Sequence, residues 1–259
     1  MISKPKVVCY VPSLTETLIE CNVNVVGRTQ FCIYPEDKVE QIPIVGGTKY
    51  IRAQQISELD YDFILLDKEE NTLNMSHQLG AKVIPLHIES IQNVTQCLFR
   101  LAELFHNNKL SKLAIEYQNL KQQQRDLQSI PGIIRWWRRP TNEQRKRNLK
   151  YIYIIWDEPL MAISQKTYID SVFQLFGISD LNKIQLLNDK YPKIDEKMID
   201  ENTILLFSTE PYRFAIKKEY MLQRFPGIPM ALIDAELYSW FGVRSLKKIQ
   251  HEQQVFFNR

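Results

Sequence analysis

A few short stretches collect hydroxyls, carboxylates and an arginine directly behind apolar runs. The first is Val7-Val8-Cys9-Tyr10-Val11-Pro12-Ser13-Leu14-Thr15-Glu16-Thr17-Leu18. Ser13 and Thr15 supply hydroxyls, and Ser13-x-x-Glu16 before an apolar helix has the spacing of a capping box, in which side chains satisfy the orphan amides of a helix start. Strand, turn and helix in that order leave N–H groups and a positive dipole end at a sheet edge, a place that suits anions. Arg28, next to Thr29 behind Val25-Val26, suits a bidentate grip on a ligand carboxylate or a pairing with Glu16. Glu69-Glu70-Asn71 follow another apolar run and read either as a solvated helix start favoured by the dipole or as a recognition group.

Several chemistries lack their residues. There is no Gly-x-Gly-x-x-Gly, Walker loop, Gly-x-Ser-x-Gly or His-Glu-x-x-His. With eight glycines and Gly46-Gly47 as the sole pair, a backbone phosphate cradle is hard to build, so catalysis is not expected. His77, His87, His106 and His251 include no i, i+4 pair, and no bare metal site built on imidazole is expected. A metal chelated by an organic molecule stays open. Cys9, Cys21, Cys32 and Cys97 have no paired spacing and read as buried free thiols.

The elements that must position these residues alternate. Residues 7–11, 25–26, 61–66 and 82–86 read as strands, and 15–21, 53–59 and 73–79 as helices, which implies a parallel sheet with right-handed crossovers. Val94, Leu98, Leu101, Leu104 and Phe105 form a helical stripe. A Gln- and Lys-rich helix is expected from Leu110 through Leu127, closed by Ile130-Pro131-Gly132. Alternation then restarts with strands at 151–155, 203–207 and 230–233 and helices at 168–176 and 217–224. The expected organisation is an α/β lobe over 1–105, a connecting backbone helix over 106–130, a basic loop over 131–150 and a second α/β lobe over 151–259.

The formal charge is +3, but it is unevenly spread. Residues 135–150 carry seven basic side chains against Glu143 alone, which leaves the remainder slightly acidic and excludes a generally basic nucleic-acid binder. Arg135-Trp136-Trp137-Arg138-Arg139 combines cations with aromatics, as surfaces for single strands or anionic membranes do. A solvated loop is the plainer reading. No apolar run of 18 residues exists, and no export signal is read at the start. A chain that begins here is expected in the cytoplasm, and in the periplasm if its true start lies upstream.

Taken in order, the strand-end stretches resemble the helical-backbone (class III) substrate-binding proteins, which serve ABC importers of cobalamin, ferric siderophores and haem. The stretches are Pro12 to Thr17, Gly27-Arg28-Thr29 with Tyr34-Pro35, Gly46-Gly47-Thr48, Glu69-Glu70-Asn71, Ser208 to Pro211 and Asp234 to Arg244. The likeness is nearest to the cobalamin-binding-protein-like branch and covers residues 6–250. It implies two Rossmann-like α/β lobes joined by one long backbone helix, with a ligand cleft between the lobes and no catalysis. By motif it places Ser13, Thr15, Glu16, Arg28, Thr29, Tyr34, Gly46, Gly47, Thr48, Glu69, Glu70 and Asn71 on the ligand from the first lobe, with Trp156, Glu210, Tyr212, Glu236, Tyr238 and Trp240 opposite.

The resemblance further implies a bound corrinoid, haem or metal chelate with no other cofactor, an importer permease as a partner that acidic residues could dock, and a monomer. Departures are visible. Cobalamin receptors flank the corrin with tryptophans where this chain carries Asp67 and Glu236. Ala235 and Ser164 stand where the family favours glycine. A ligand-handling enzyme on the same scaffold and an interaction module built on the basic segment are the alternatives.

Overall fold

The computed structural model describes residues 4–127, 129–178 and 189–257. The chain divides into two compact units, Met1–Asn119 with Trp240–Lys247, and Leu120–Ser239 with Lys248–Arg259.

The first unit is built on a sheet of β1 (Lys6–Cys9), β2 (Asn24–Thr29), β3 (Ile44–Gly46), β4 (Phe63–Asp67) and β5 (Val83–Leu86). Every pairing is parallel, in the order β3-β2-β1-β4-β5. Val7, Val8, Cys9, Ile64 and Leu65 are fully buried, as expected of central parallel strands covered on both faces. The helices are α1 (Pro12–Glu20), α2 (Glu36–Val39), α3 (Ala53–Ser57), α4 (Leu73–Leu79), α5 (Ile91–Leu104) and α6 (Asn108–Gln118). In α5, Ser90 accepts the Asn93 amide as N-cap, and Val94, Leu98 and Leu101 are buried.

Two expectations about helices fail here. Helix α1 begins at Pro12, whose fixed φ and missing N–H suit a first helical position, and Val11 precedes it without a side-chain cap. Ser13 and Glu16 therefore lie inside the helix and form no capping box. The connecting segment is helical only over Asn108–Gln118. Beyond it, the amides of Gln123 and Arg125 donate to the carbonyls of Leu175 (2.8 Å) and Phe176 (3.0 Å), so tertiary partners replace the next helical turns. Gly177 permits the approach, since a Cβ there would lie 2.3 Å from the Gln123 carbonyl oxygen.

The second unit holds β6 (Ile133–Arg138), β7 (Lys150–Trp156), β8 (Met161–Ala162), β9 (Thr203–Ser208) and β10 (Met230–Ile233), ordered β6-β10-β9-β7-β8. The three central strands are parallel and the two edge strands antiparallel. Its helices are α7 (Asn142–Arg145), α8 (Tyr168–Leu175), α9 (Lys218–Arg224) and α10 (Ala235–Tyr238), and α11 (Val243–Phe257) ends in this unit.

The basic segment is only partly a loop. Residues Ile133–Arg138 pair with β10 through two register shifts, which hide the strand's period from the sequence. Trp137 stacks on Phe207 (5.1 Å, 22°) against the core. Arg138 donates to the carbonyls of Phe225 (2.8 Å), Ile228 (3.0 Å) and Leu222 (3.3 Å), satisfying the C-terminal end of α9. These two residues serve the fold, while Arg135 and Arg139 remain exposed. Among the described residues, no helix is long and apolar enough to cross a membrane.

Candidate functional site

The strand order of the first unit reverses between β1 and β4, and open α/β sheets bind ligands beyond the carboxyl ends of strands at such a point. Asn71 sits there as a staple. Its Oδ1 accepts the Asp67 amide (2.8 Å), and its Nδ2 donates to the carbonyls of Tyr10 (3.2 Å) and Thr48 (2.9 Å). One buried amide side chain thus ties the ends of β1 and β4 to the loop after β3. Gly46 and Gly47 make that loop turn tightly. A Cβ on Gly46 would meet the Tyr50 carbonyl at 2.3 Å, and one on Gly47 the Tyr50 ring at 2.5 Å.

Glu16 is the centre of a cluster that joins three of the expected stretches. Arg244 grips it at two points, Nη2 to Oε1 (2.7 Å) and Nε to Oε2 (2.9 Å), and the indole Nε1 of Trp240 donates to Oε2 (2.7 Å). The same guanidinium lies 3.5 Å over the centroid of the Tyr34 ring, and Tyr34 meets Trp240 edge-on at 5.8 Å. The carboxylate is almost wholly buried, so the ion pair fixes Tyr34 and Trp240 in place. Nearby loops leave apolar side chains in water: Phe31 and Ile33 after β2, and Tyr50 after β3, whose hydroxyl donates to Gln30.

The second unit repeats the device with other residues. Asp157, fully buried just past β7, pairs with Arg224 (2.7 Å) and Lys217 (3.6 Å) and accepts from the Tyr212 hydroxyl (3.2 Å). Tyr212 meets the ring of Trp156 edge-on at 5.3 Å, and the Trp156 indole donates to the Glu158 carbonyl. Trp156 is nevertheless 41% exposed, so its ring is a rigid apolar surface facing solvent. Glu210 is exposed beyond β9. Glu236 pairs with Lys248 (3.2 Å), which also holds Asp234 (2.6 Å).

Several residues expected on a ligand are spent inside the fold. Arg28, expected to hold a carboxylate, is buried and donates to the carbonyls of Val39, Ile42, Thr29 and Cys32. Thr15 and Thr29 are fully buried; Thr15 donates to Val11, and both contact the Cys32 thiol. Tyr238 is core, with its hydroxyl donating to Pro131. Asn71 acts through the backbone. Ser13 is also buried, Thr48 and Glu69 are half-buried, and Glu70 is exposed.

Sequence reasoning missed the partners that make these clusters. Arg244 stood in the final motif with no role assigned, and Asp157 adjoins Trp156; an aspartate directly after a strand-end tryptophan was the available signal. A third grouping was invisible because its members lie 18 and 20 residues apart: Glu69, His87 and Glu89 place donor atoms within 4.8 Å of one another. The four cysteines are free and buried as expected. Burial pushes Cys9 and Cys97 up to about 12 and Cys21 to about 11, so none of these three is a nucleophile near neutral pH.

No protein-family model and no curated protein matches the sequence. Solved structures do. The periplasmic vitamin B12-binding protein BtuF of Vibrio cholerae superposes with a TM-score of 0.69 at 16% identity, over 97% of this chain and 96% of that one. The periplasmic heme-binding protein BhuT, solved with two hemes, gives 0.69 at 15%, over 97% of each chain. IsdE of S. aureus, complexed with heme, gives 0.69 at 14%, over 98% of this chain and all of that one. At such identities the likeness speaks to architecture, and it extends end to end: the chain has the two-lobed α/β fold of the helical-backbone substrate-binding proteins.

Proposed function

We propose that this protein binds, without transforming it, a flat organic ligand of the corrinoid, haem or metal-chelate class. The observation that carries the reading is the rigid, exposed aromatic surface at a strand end of the second unit. Trp156 faces solvent, yet it is fixed through Tyr212 to a fully buried Asp157. Large aromatic side chains held still in water suit stacking on planar apolar surface, because little conformational freedom remains to be lost. The exposed Phe31, Ile33 and Tyr50 on the strand-end loops of the first unit add apolar area of the same character. Proteins of the same fold bind vitamin B12 and heme, which makes these ligands the first to test. An ABC-importer permease is the matching partner.

The experiment is a thermal-shift screen against cobalamin, cobinamide, haem and ferric siderophores, followed by quenching of tryptophan fluorescence for any hit. Ligand at a hundredfold excess over its dissociation constant stabilises the native state by about 2.7 kcal/mol. A saturable shift that Trp156→Ala abolishes supports the reading. The absence of a shift with every one of these compounds refutes it.

A further inference from the structure

We propose that a cavity beside β6 binds a small phosphate ester that carries a planar ring, of the nucleoside monophosphate type. The site is separate from the ligand surface proposed above, since β6 lies three strands from β7, whose last residue is Trp156. Against β10, Arg135 pairs with Leu232, Trp136 with Ala231 and Arg138 with Met230, and the register shifts leave Ile134 and Trp137 as extra residues. Such bulges break the two-residue alternation of a strand. Neighbouring residues therefore reach one space: Arg135 and Trp136, with Arg139 just past the strand, line a cavity of about 370 Å³. Pockets for small molecules run from about 300 to 1,000 Å³, so the space suits a compact ligand.

The charge of the lining favours an anion. Among the described residues no carboxylate forms an ion pair with Arg135 or Arg139, and the Arg139 guanidinium lies 5.6 Å from the centroid of the Trp136 ring. The one carboxylate of the lining, Glu252, is already matched: it pairs with Arg125 (3.4 Å) and accepts the Gly132 amide (3.1 Å). Arg125 is itself held over the rings of Phe176 (4.9 Å) and Phe256 (4.5 Å), which gives the cavity a firm wall. Two uncompensated guanidinium groups match the nearly double charge of a phosphate monoester, and their forked donors fit its oxygens. The half-buried Trp136 beside them offers aromatic surface to a base. A polymer fits less well. Arg138, Arg145 and Arg147 of the same segment are spent on the oxygens of Phe225, Pro140 and Glu201, so they leave no continuous basic track for a strand to follow.

The test is calorimetric titration of the full chain with adenosine monophosphate, with ribose phosphate and inorganic phosphate run alongside. The expected result is one nucleotide per chain, bound more weakly at high salt, with affinity reduced at least about tenfold by Arg135→Gln or Arg139→Gln. Both positions are exposed, so these variants keep the melting temperature of the unsubstituted chain without ligand. Trp136→Leu should bring the affinity for the nucleotide down toward that for ribose phosphate. Absence of saturable binding overturns the site, as does an affinity unchanged when both arginines are replaced. Ribose phosphate or inorganic phosphate bound as tightly as the nucleotide overturns it too, because the ring would then go unread. So does an oligouridylate that binds more tightly and displaces the nucleotide, since the segment would then hold a strand. Nucleotide binding abolished by Trp156→Ala overturns the separation of the two sites.

Discussion

Each unit ties an aromatic ring and an arginine to one carboxylate, but one cluster is closed and the other is open to solvent. In the first unit, Glu16 on α1 is gripped bidentately by Arg244, and the guanidinium in turn covers Tyr34. The cluster closes on itself, and its tryptophan is half-buried. In the second unit, Asp157 divides its oxygens between Arg224 on one side and Tyr212 with Lys217 on the other. Trp156 is held at the rim of that network with its ring in water. The difference teaches that the same three residue types can lock a fold or present a surface. What decides is whether the arginine or the solvent lies over the aromatic ring.

The largest stability difference between the two clusters is expected at their carboxylates. Asp157 is fully buried against two cations, so Asp157→Asn takes the carboxylate from Lys217 and leaves Arg224 with Glu196 alone, and should cost about 3 kcal/mol in urea unfolding. Glu16→Gln should cost less, about 2 kcal/mol, because Arg244 retains a path to water and the amide keeps one acceptor. Its signature is a change in Trp240 fluorescence as the indole loses its charged acceptor. Equal costs for the two variants would mean that burial does not separate the clusters.

Alkaline pH should separate the units next. All four cysteines lie in the first unit, and burial pushes Cys9 and Cys97 up to about 12 and Cys21 to about 11, with Cys32 raised too. In the unfolded chain a thiol titrates near about 8.5. Above that pH the unfolded state binds fewer protons than the native one, so stability falls as pH rises toward the native values. Each of Cys9 and Cys97 then removes about 1.4 kcal/mol per pH unit. The second unit carries instead the buried Tyr153 and Tyr238, both raised by desolvation, and an unfolded tyrosine titrates only near about 10. Pulsed alkylation of the thiols should therefore rise at lower pH than the fluorescence change of Trp136, Trp137 and Trp156. Coincident transitions would show the units unfolding as one.

The architecture was legible because apolar runs and punctuation agree locally. Residues 73–79 and 230–233 form their helix and strand as read, and β9 differs from its expected bounds by one residue. Reading failed where tertiary partners override local signals. The helix expected to reach Leu127 stops at Gln118 because the amides of Gln123 and Arg125 find the end of α8. The basic loop is half strand because Trp137 has Phe207 to stack on and Arg138 has three carbonyls to satisfy. The motif stretches do lie at strand ends, but their order could not tell which polar residues face inward. Arg28 was read as a ligand group for its charge, yet four carbonyls within reach consume it. Glu69, His87 and Glu89 went unread together because only β4–β5 pairing makes them neighbours.

The smallest stability effect carries the sharpest functional contrast. Trp156 is 41% exposed; its indole donates to the Glu158 carbonyl and its ring meets Tyr212 edge-on, so Trp156→Ala should cost about 1 kcal/mol. Trp240→Ala removes a ring that donates to Glu16 and packs edge-on against Tyr34, and should cost about 2 kcal/mol or more. If a planar ligand stacks on the surface the second unit presents, Trp156→Ala weakens binding at least about tenfold, a loss of about 1.4 kcal/mol, with a smaller drop in melting temperature than Trp240→Ala. Binding lost only in Trp240→Ala would reverse the assignment, making the closed cluster the ligand surface and the exposed tryptophan a bystander.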